Sequence, residues 1–244
     1  MPNINCGFSA PLHWVEYTGD IDLQYAVHIW RLSIPAMLPA LGEALVLLNA
    51  GEIDRANRYF QDKDRQRFIL GRAMLRTIIA NYIADKPEKI VFDIAADKKP
   101  RLPGNGLQFN ITHSGEMVLV AVANVPVGID IEKVDDAFDY AEVLSSVFSE
   151  AEIASVRHNG RDHFYRCWTR KESLVKALGM GMDERVLQLP CLDGDHTISE
   201  TDTAITSGWL VRTFYTQPGY MSSIAFPAPE RKIMCYNFNS LAFT

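Results

Sequence analysis

Two short stretches of this chain hold residues that could do chemistry together. Gly128-Ile129-Asp130-Ile131-Glu132 sets two carboxylates two residues apart, and on a strand both leave the same face. Trp168-Thr169-Arg170-Lys171-Glu172-Ser173-Leu174-Val175-Lys176 sets Glu172 and Lys176 four apart, stacked on one face of a helix. Three carboxylates with a lysine beside them suit a magnesium–pyrophosphate site. A hard cation takes oxygen ligands, keeps part of its water and bridges carboxylates to phosphate oxygens, while lysine offers the phosphates a compact positive charge.

Each stretch alone has an ordinary explanation. Acidic residues on an alternating strand usually mark its solvated face, and a Glu–Lys pair at helical spacing stabilises its helix by roughly 0.2–0.5 kcal/mol. Ile129 and Ile131 tip the balance: they make the opposite face apolar, which predicts a packed strand. Carboxylates on such a strand are held rigidly enough to serve a metal. His113 follows a predicted strand, where a histidine is ordinarily satisfied by a backbone carbonyl.

The elements that must position these residues are legible in outline. Residues 25–34 read as a strand ending at Pro35, and 38–48 as a buried helix closed near Asn49-Ala50-Gly51. Residues 62–84 are strongly helical, with Phe68, Leu70, Met74, Leu75, Ile78, Ile79 and Tyr82 as the apolar stripe and Arg65, Arg67, Arg72 and Arg76 as basic side chains. A short strand is predicted over 89–94. The prolines and glycines of 97–106 then exclude a regular element. Strands follow over 107–112, 117–123 and 127–132. Ser149 and Glu152 form a capping-box pattern for a helix over 150–157, and Cys167 inside the next helix (162–178) reads as a small buried hydrophobe. Gly179-Met180-Gly181 stops that helix. Residues 197–238 alternate like strands and turns.

This order predicts an α+β protein of two similar halves, residues 1–124 and 125–244, each a small antiparallel sheet packed with helices, with the seam at Asn124-Val125-Pro126. At 244 residues the chain can bury a sizeable core. A formal charge of −6 argues against a general nucleic-acid binder but leaves room for a local basic pocket. The four cysteines are scattered without zinc-like spacing, as suits a reducing cytoplasm. The N-terminus has neither a basic start nor an apolar signal core. The longest apolar stretch, 34–50, is too broken to span a membrane.

Three segments in order resemble the Sfp-type 4'-phosphopantetheinyl transferases. Phe109-Asn110-Ile111-Thr112-His113-Ser114-Gly115 is similar to that family's FN(I/L)(S/T)HS segment, Gly128-Ile129-Asp130-Ile131-Glu132 to its GxDxE element, and 168–181 to its WxxKE helix with the glycines that follow. The resemblance runs from about residue 51 to 181. It implies transfer of the phosphopantetheine arm of coenzyme A to a serine of an apo acyl or peptidyl carrier protein, leaving adenosine 3',5'-bisphosphate, by a monomer with both halves in one chain and coenzyme A in the cleft between them. It assigns Asp130, Glu132 and Glu172 to magnesium (or manganese), Lys176 to a phosphate, and Glu172 also to the base that receives the serine proton.

Coenzyme A-binding positions implied by the same resemblance are Arg55 and Arg67 for the 3'-phosphate, Lys99 and Pro100 on the adenine side, and Thr112, His113 and Ser114. Lys98 stands where the family has glycine, and Glu52 where some relatives have lysine, which implies a phosphate gripped by fewer charges. Glu152 matches a family acid, although its capping role suffices to explain it. Lys171 points about 100° from Glu172 on the helix, toward a carrier protein or solvent. The competing functions are a magnesium-dependent phosphohydrolase acting on a nucleotide, and a non-catalytic module that binds coenzyme A or a carrier protein.

Overall fold

The sequence Met-Val-Leu-Val-Ala-Val-Ala at 117–123 is apolar on both faces, and a strand of that kind needs a packed layer on each side. It has them in the computed structural model, which describes residues 1–19, 22–94, 99–104, 106–181, 183–198 and 205–239. Among these, the strands make two five-stranded sheets and a two-stranded ribbon. The strands are β1 (Asn3–Phe8), β2 (Trp14–Glu16), β3 (Ala26–Ser33), β4 (Asp93–Ile94), β5 (Pro100–Arg101), β6 (Gln108–Ser114), β7 (Met117–Ala123), β8 (Gly128–Lys133), β9 (Gly194–Thr197), β10 (Trp209–Gln217), β11 (Tyr220–Pro227) and β12 (Lys232–Asn237). One sheet runs β2-β12-β3-β7-β6 and the other β8-β11-β10-β1-β9. The helices are α1 (Ile34–Met37), α2 (Leu41–Val46), α3 (Ala50–Asn57), α4 (Asp62–Ile83), α5 (Leu144–Val147), α6 (Glu150–Asn159) and α7 (Arg161–Leu178).

The layers follow from which face each strand buries. Val118, Val120 and Val122 of β7 pack with Leu70, Ala73, Met74 and Ile78 of α4. Leu119, Ala121 and Ala123 join Ile129 and Ile131 of β8 and Ile224 and Phe226 of β11 in a core between the sheets. Phe164, Leu174 and Val175 of α7 cover the outer face of the second sheet, against Ile4, Val211 and Met221. Each fully buried aliphatic side chain contributes roughly 1.5–3 kcal/mol. The order is helix, sheet, sheet, helix, so each long helix serves one half of an α+β molecule.

The structure corrects several sequence expectations. The sheets are mixed, not antiparallel: β1 runs parallel to β10, and β12 runs parallel to both β2 and β3. These pairings arise because the chain's two ends change partners. β1 lies inside the second sheet, and β12 inside the first. Each sheet therefore takes one strand from the far end of the chain.

The helix expected over 38–48 begins as a single 3-10 turn (Leu38–Ala40) carrying Pro39 and becomes α-helical only in α2, while the short α1 precedes it, from the last residue of the stretch read as a strand. Asn49 does not stop a helix but starts α3, capping it in a reciprocal box with Glu52. The strand expected over 89–94 shrinks to β4, and its partner β5 lies in the stretch read as irregular; Lys98 is outside the described residues. Among the described residues no helix is long and apolar enough to cross a membrane.

Buried charge was the least visible feature. Arg76 of α4 has no exposed side-chain surface. It donates to Glu52 (2.8 Å) and to the carbonyls of Pro87 (2.9 Å) and Ile90 (2.8 Å). On α7, Arg170 donates to Thr213, the Cys191 carbonyl and Asp193, all at 2.7 Å. Lys171, expected at the surface, is fully buried with Glu152 (2.8 Å) and the Val186 carbonyl (3.0 Å). Such pairs survive burial only because nearly every donor finds an acceptor. Glu152 thus has three tasks: it caps α6, pairs with Lys171, and accepts from the Cys191 amide. The buried reading of Cys167 holds.

Candidate active site

Outer strand β6 of one sheet and outer strand β8 of the other lie against each other at the seam. Alternate residues of β6 share a face, and three of them reach across. Asn110 Oδ1 accepts from the Ile129 amide (2.8 Å), Thr112 Oγ1 donates to Asp130 Oδ1 (3.1 Å), and Ser114 Oγ donates to Glu132 Oε2 (2.8 Å). The same hydroxyl of Ser114 accepts from the Lys133 amide (3.0 Å). Thr112 and Ser114 therefore hold the carboxylates in place.

Helix α7 completes the acidic end. It crosses β8 at Gly128, where an added Cβ would lie 2.1 Å from the Ser173 carbonyl oxygen and 2.4 Å from the Ala177 nitrogen. Only glycine permits that approach. The helix ends two residues after Ala177, on Gly179 in the left-handed conformation (φ 67°). This contact lets Lys176 Nζ reach Asp130 Oδ1 (2.6 Å) and Thr112 Oγ1 (3.3 Å), with Glu172 Oε2 at 3.8 Å.

Burial governs the protonation of this cluster. It pushes the Asp130 carboxyl up, against the pull of the Lys176 ammonium. Burial and then the charge of Asp130 push Glu132 up to about 7. Glu172 is raised by burial too, with Lys176 opposing. For Lys176 burial alone would lower the ammonium, but Asp130 and Glu172 outweigh it and hold it raised. Crowded carboxylates that resist ionising lack positive charge.

Among the described residues no three acidic, histidine or cysteine side chains already stand as a group that could hold a metal ion. The donor chemistry nevertheless fits a hard divalent cation. Among the described residues Asp130 Oδ2 is buried without a hydrogen-bond partner, and the cation paired with Asp130 is an ammonium at the end of a flexible stem. Glu172 is the least hydrogen-bonded of the three acids, its Lys176 contact being loose.

The carboxylates line a cleft of about 420 Å3 together with Arg55, Arg67, Arg72 and His113. Arg55 is exposed and lies over the Phe68 ring (5.0 Å). Arg67 donates to Asp64 (2.7 Å) and to the Gly115 carbonyl (3.4 Å). His113 keeps exposed surface, yet the surrounding protein, and then Arg67, push its imidazole below the usual range. Glu52 neutralises this basic group in part, pairing with Arg76 and, at 3.5 Å, with Arg72. Lys99 and Pro100 border the cleft. The Lys99 ammonium donates to the carbonyls of Val127 (3.0 Å) and Lys176 (2.8 Å).

Sequence reasoning missed Arg72 and Asn110 as site residues. Arg72 stands four residues after Phe68, on the same helix face, and both line the cleft. Asn110 shares the period-two face of Thr112 and Ser114, which was the available signal.

Residues 37–125 match the family model described as "4'-phosphopantetheinyl transferase, N-terminal", and residues 126–220 match that of the "4'-phosphopantetheinyl transferase superfamily". The two matches meet in the turn between β7 and β8. The chain is 32% identical over 165 residues to the 4'-phosphopantetheinyl transferase HetI of Nostoc sp., covering 64% of this chain and 70% of HetI. It is 30% identical over 187 residues to the 4'-phosphopantetheinyl transferase Sfp of Bacillus subtilis, covering 72% of this chain and 81% of Sfp. A more distant likeness, 27% over 173 residues, is to the L-aminoadipate-semialdehyde dehydrogenase-phosphopantetheinyl transferase of Xenopus laevis, covering 63% and 57%. The chain is thus a transferase, a member of the 4'-phosphopantetheinyl transferase superfamily. Within it, the chain is Sfp-like.

Proposed function

We propose that this protein transfers the 4'-phosphopantetheine group of coenzyme A to a serine hydroxyl of an apo acyl or peptidyl carrier protein, releasing adenosine 3',5'-bisphosphate, with magnesium or manganese at Asp130, Glu132 and Glu172. The observation that carries this reading is that three carboxylates, Asp130 buried and Glu132 and Glu172 half-buried, gather around Lys176 and line one cleft with Arg55, Arg67 and Arg72. Coenzyme A lies along the cleft. Its 3'-phosphate is held by Arg55, Arg67 and His113 of residues 1–124, its adenosine lies against the Lys99–Pro100 loop, and its pyrophosphate faces residues 125–244. Arg72 adds charge to the 3'-phosphate end. The enzyme acts as a monomer in the cytoplasm.

A bound divalent cation would neutralise the pyrophosphate and polarise the phosphorus under attack. The chain's own residues do the rest. Thr112 and Ser114 orient Asp130 and Glu132, so the carboxylates need no reorganisation as charge develops. Lys176 carries its ammonium beside them, within reach of a phosphate oxygen once Asp130 has another partner. Glu172, least encumbered and raised by burial, takes the serine proton. Attack at phosphorus asks mainly for position and charge.

The test is the intact mass of a purified apo acyl carrier protein, and of a peptidyl carrier protein, after incubation with this protein, coenzyme A and magnesium, beside an EDTA control. A gain of one phosphopantetheine group, lost with EDTA, is expected. Adenosine bisphosphate released without any carrier would make the protein a phosphohydrolase. Coenzyme A binding with no transfer to either carrier would make it a binding module.

A further inference from the structure

Lys99 sits where a phosphate ligand would be sought, yet its ammonium is engaged elsewhere. It donates to the carbonyl of Val127, the residue before β8, and to the carbonyl of Lys176, in the last turn of α7. A helix leaves its final carbonyls without intrahelical partners. In α7, the amides of Gly179 and Met180 both turn back to Val175, and the Lys176 carbonyl is served by Lys99 from the other half. A cation at a helix C-terminus also meets the negative end of its dipole. The contact falls at the β8–α7 crossing, beside Gly128 and Ala177. One ammonium therefore fastens the strand that carries Asp130 and Glu132 to the helix that carries Glu172 and Lys176.

We propose that Lys99 is a positioning residue of the transfer reaction: it locks the end of α7 onto the start of β8 and so sets where Lys176 and Glu172 stand relative to Asp130, while the 3'-phosphate is left to the arginines and His113. This rests on the proposed function for its kinetic readout but not for its structural one. Because Lys99 borders the cleft, the lock is also adjacent to the bound co-substrate, and a loop of the first half governs geometry in the second.

The experiment compares wild type, Lys99→Met and Lys99→Arg, with Lys99→Gln in reserve if the methionine variant fails to melt cooperatively. Each is assayed with coenzyme A and with 3'-dephospho-coenzyme A, and amide exchange is followed at Gly179 and Met180. For Lys99→Met, kcat is expected to fall about 10-fold, the lower end of what loss of a supporting partner costs. The fall should be equal with both co-substrates, KM should move less than twofold, and the two amides should exchange faster. Lys99→Arg, which keeps donors for both carbonyls, should recover most of the rate. A rise in KM confined to coenzyme A would overturn the proposal and make Lys99 a 3'-phosphate ligand. Unchanged exchange, with or without a fall in kcat, would also overturn it. If wild type itself transfers nothing, the proposed function fails, and the exchange comparison alone decides the role of Lys99.

Discussion

At the acidic end of the cleft, Asp130 and Glu132 are each bonded by a hydroxyl fixed in a neighbouring strand, and Lys176 reaches Asp130 from a helix pressed against Gly128. At the basic end, Arg55 is exposed, Arg67 shares its guanidinium with Asp64, and Arg72 shares its own with Glu52. The first end is hydrogen-bonded into place before any ligand arrives; at the second, part of the charge is already paired with acids. Bond-making needs atoms fixed to fractions of an ångström, whereas holding a phosphate needs only charge within reach. Under the proposed function, the contrast separates the part of the cleft that does chemistry from the part that supplies affinity.

The largest test of that contrast is Glu172→Gln. It keeps the side-chain shape and removes the negative charge, so transfer is expected to fall by at least about 100-fold, as for loss of one preorganised group, with the melting temperature unchanged. Near-normal turnover would detach Glu172 from the chemistry. Next is Gly128→Ala, which pushes a methyl into the backbone of α7 and is expected to cost about 1–3 kcal/mol. Chemical denaturation reads it directly, and an unperturbed midpoint would mean that the helix is not seated by that contact.

At the basic end, Arg55→Ala is expected to weaken coenzyme A by at most about fivefold, since exposed ion pairs contribute up to about 1 kcal/mol. His113→Ala should weaken it somewhat more, because strand β6 fixes its backbone beside the carboxylates. Neither change should alter kcat, and calorimetry with coenzyme A and its 3'-dephospho form checks both. An equal loss with the dephospho form would remove these residues from the phosphate.

The smallest effect is in pH. Glu132 rises from 4.5 in an unfolded chain to about 7 when folded, so the folded state holds its proton longer. The stability this contributes is complete below 4.5 and is lost as pH climbs through about 7. The melting temperature of metal-free wild type, measured against Glu132→Gln, should therefore decline between these pH values, and magnesium should flatten the decline. A parallel pair of curves would deny that Glu132 is raised.

How far the sequence carried depended on how local each feature was. Strand β8, helix α7, the Ser149–Glu152 cap and the stop at Gly179 all announce themselves within a few residues, and they hold most of the acidic end. Arg76, Arg170 and Lys171 were not legible as buried, because a charge hidden among distant acceptors has the same helical spacing as one in water. Val186, Thr213 and Pro87 supply those acceptors, and nothing near Lys171 in sequence points to them. The grouping of strands into sheets failed for the same reason: Asn3–Phe8 carries no mark of its partner some two hundred residues away.

That last pairing has a consequence for how the molecule is made. Strand β1 fills an inner place in a sheet whose other members are synthesised after it, and β12 fills an inner place among strands made long before. A chain leaving the ribosome cannot close the second sheet until residue 227 has emerged, nor the first until residue 237, so the usual sequence of one half maturing while the next is still being translated is not open to it. Until then both halves present unpaired strand edges, and they mature together.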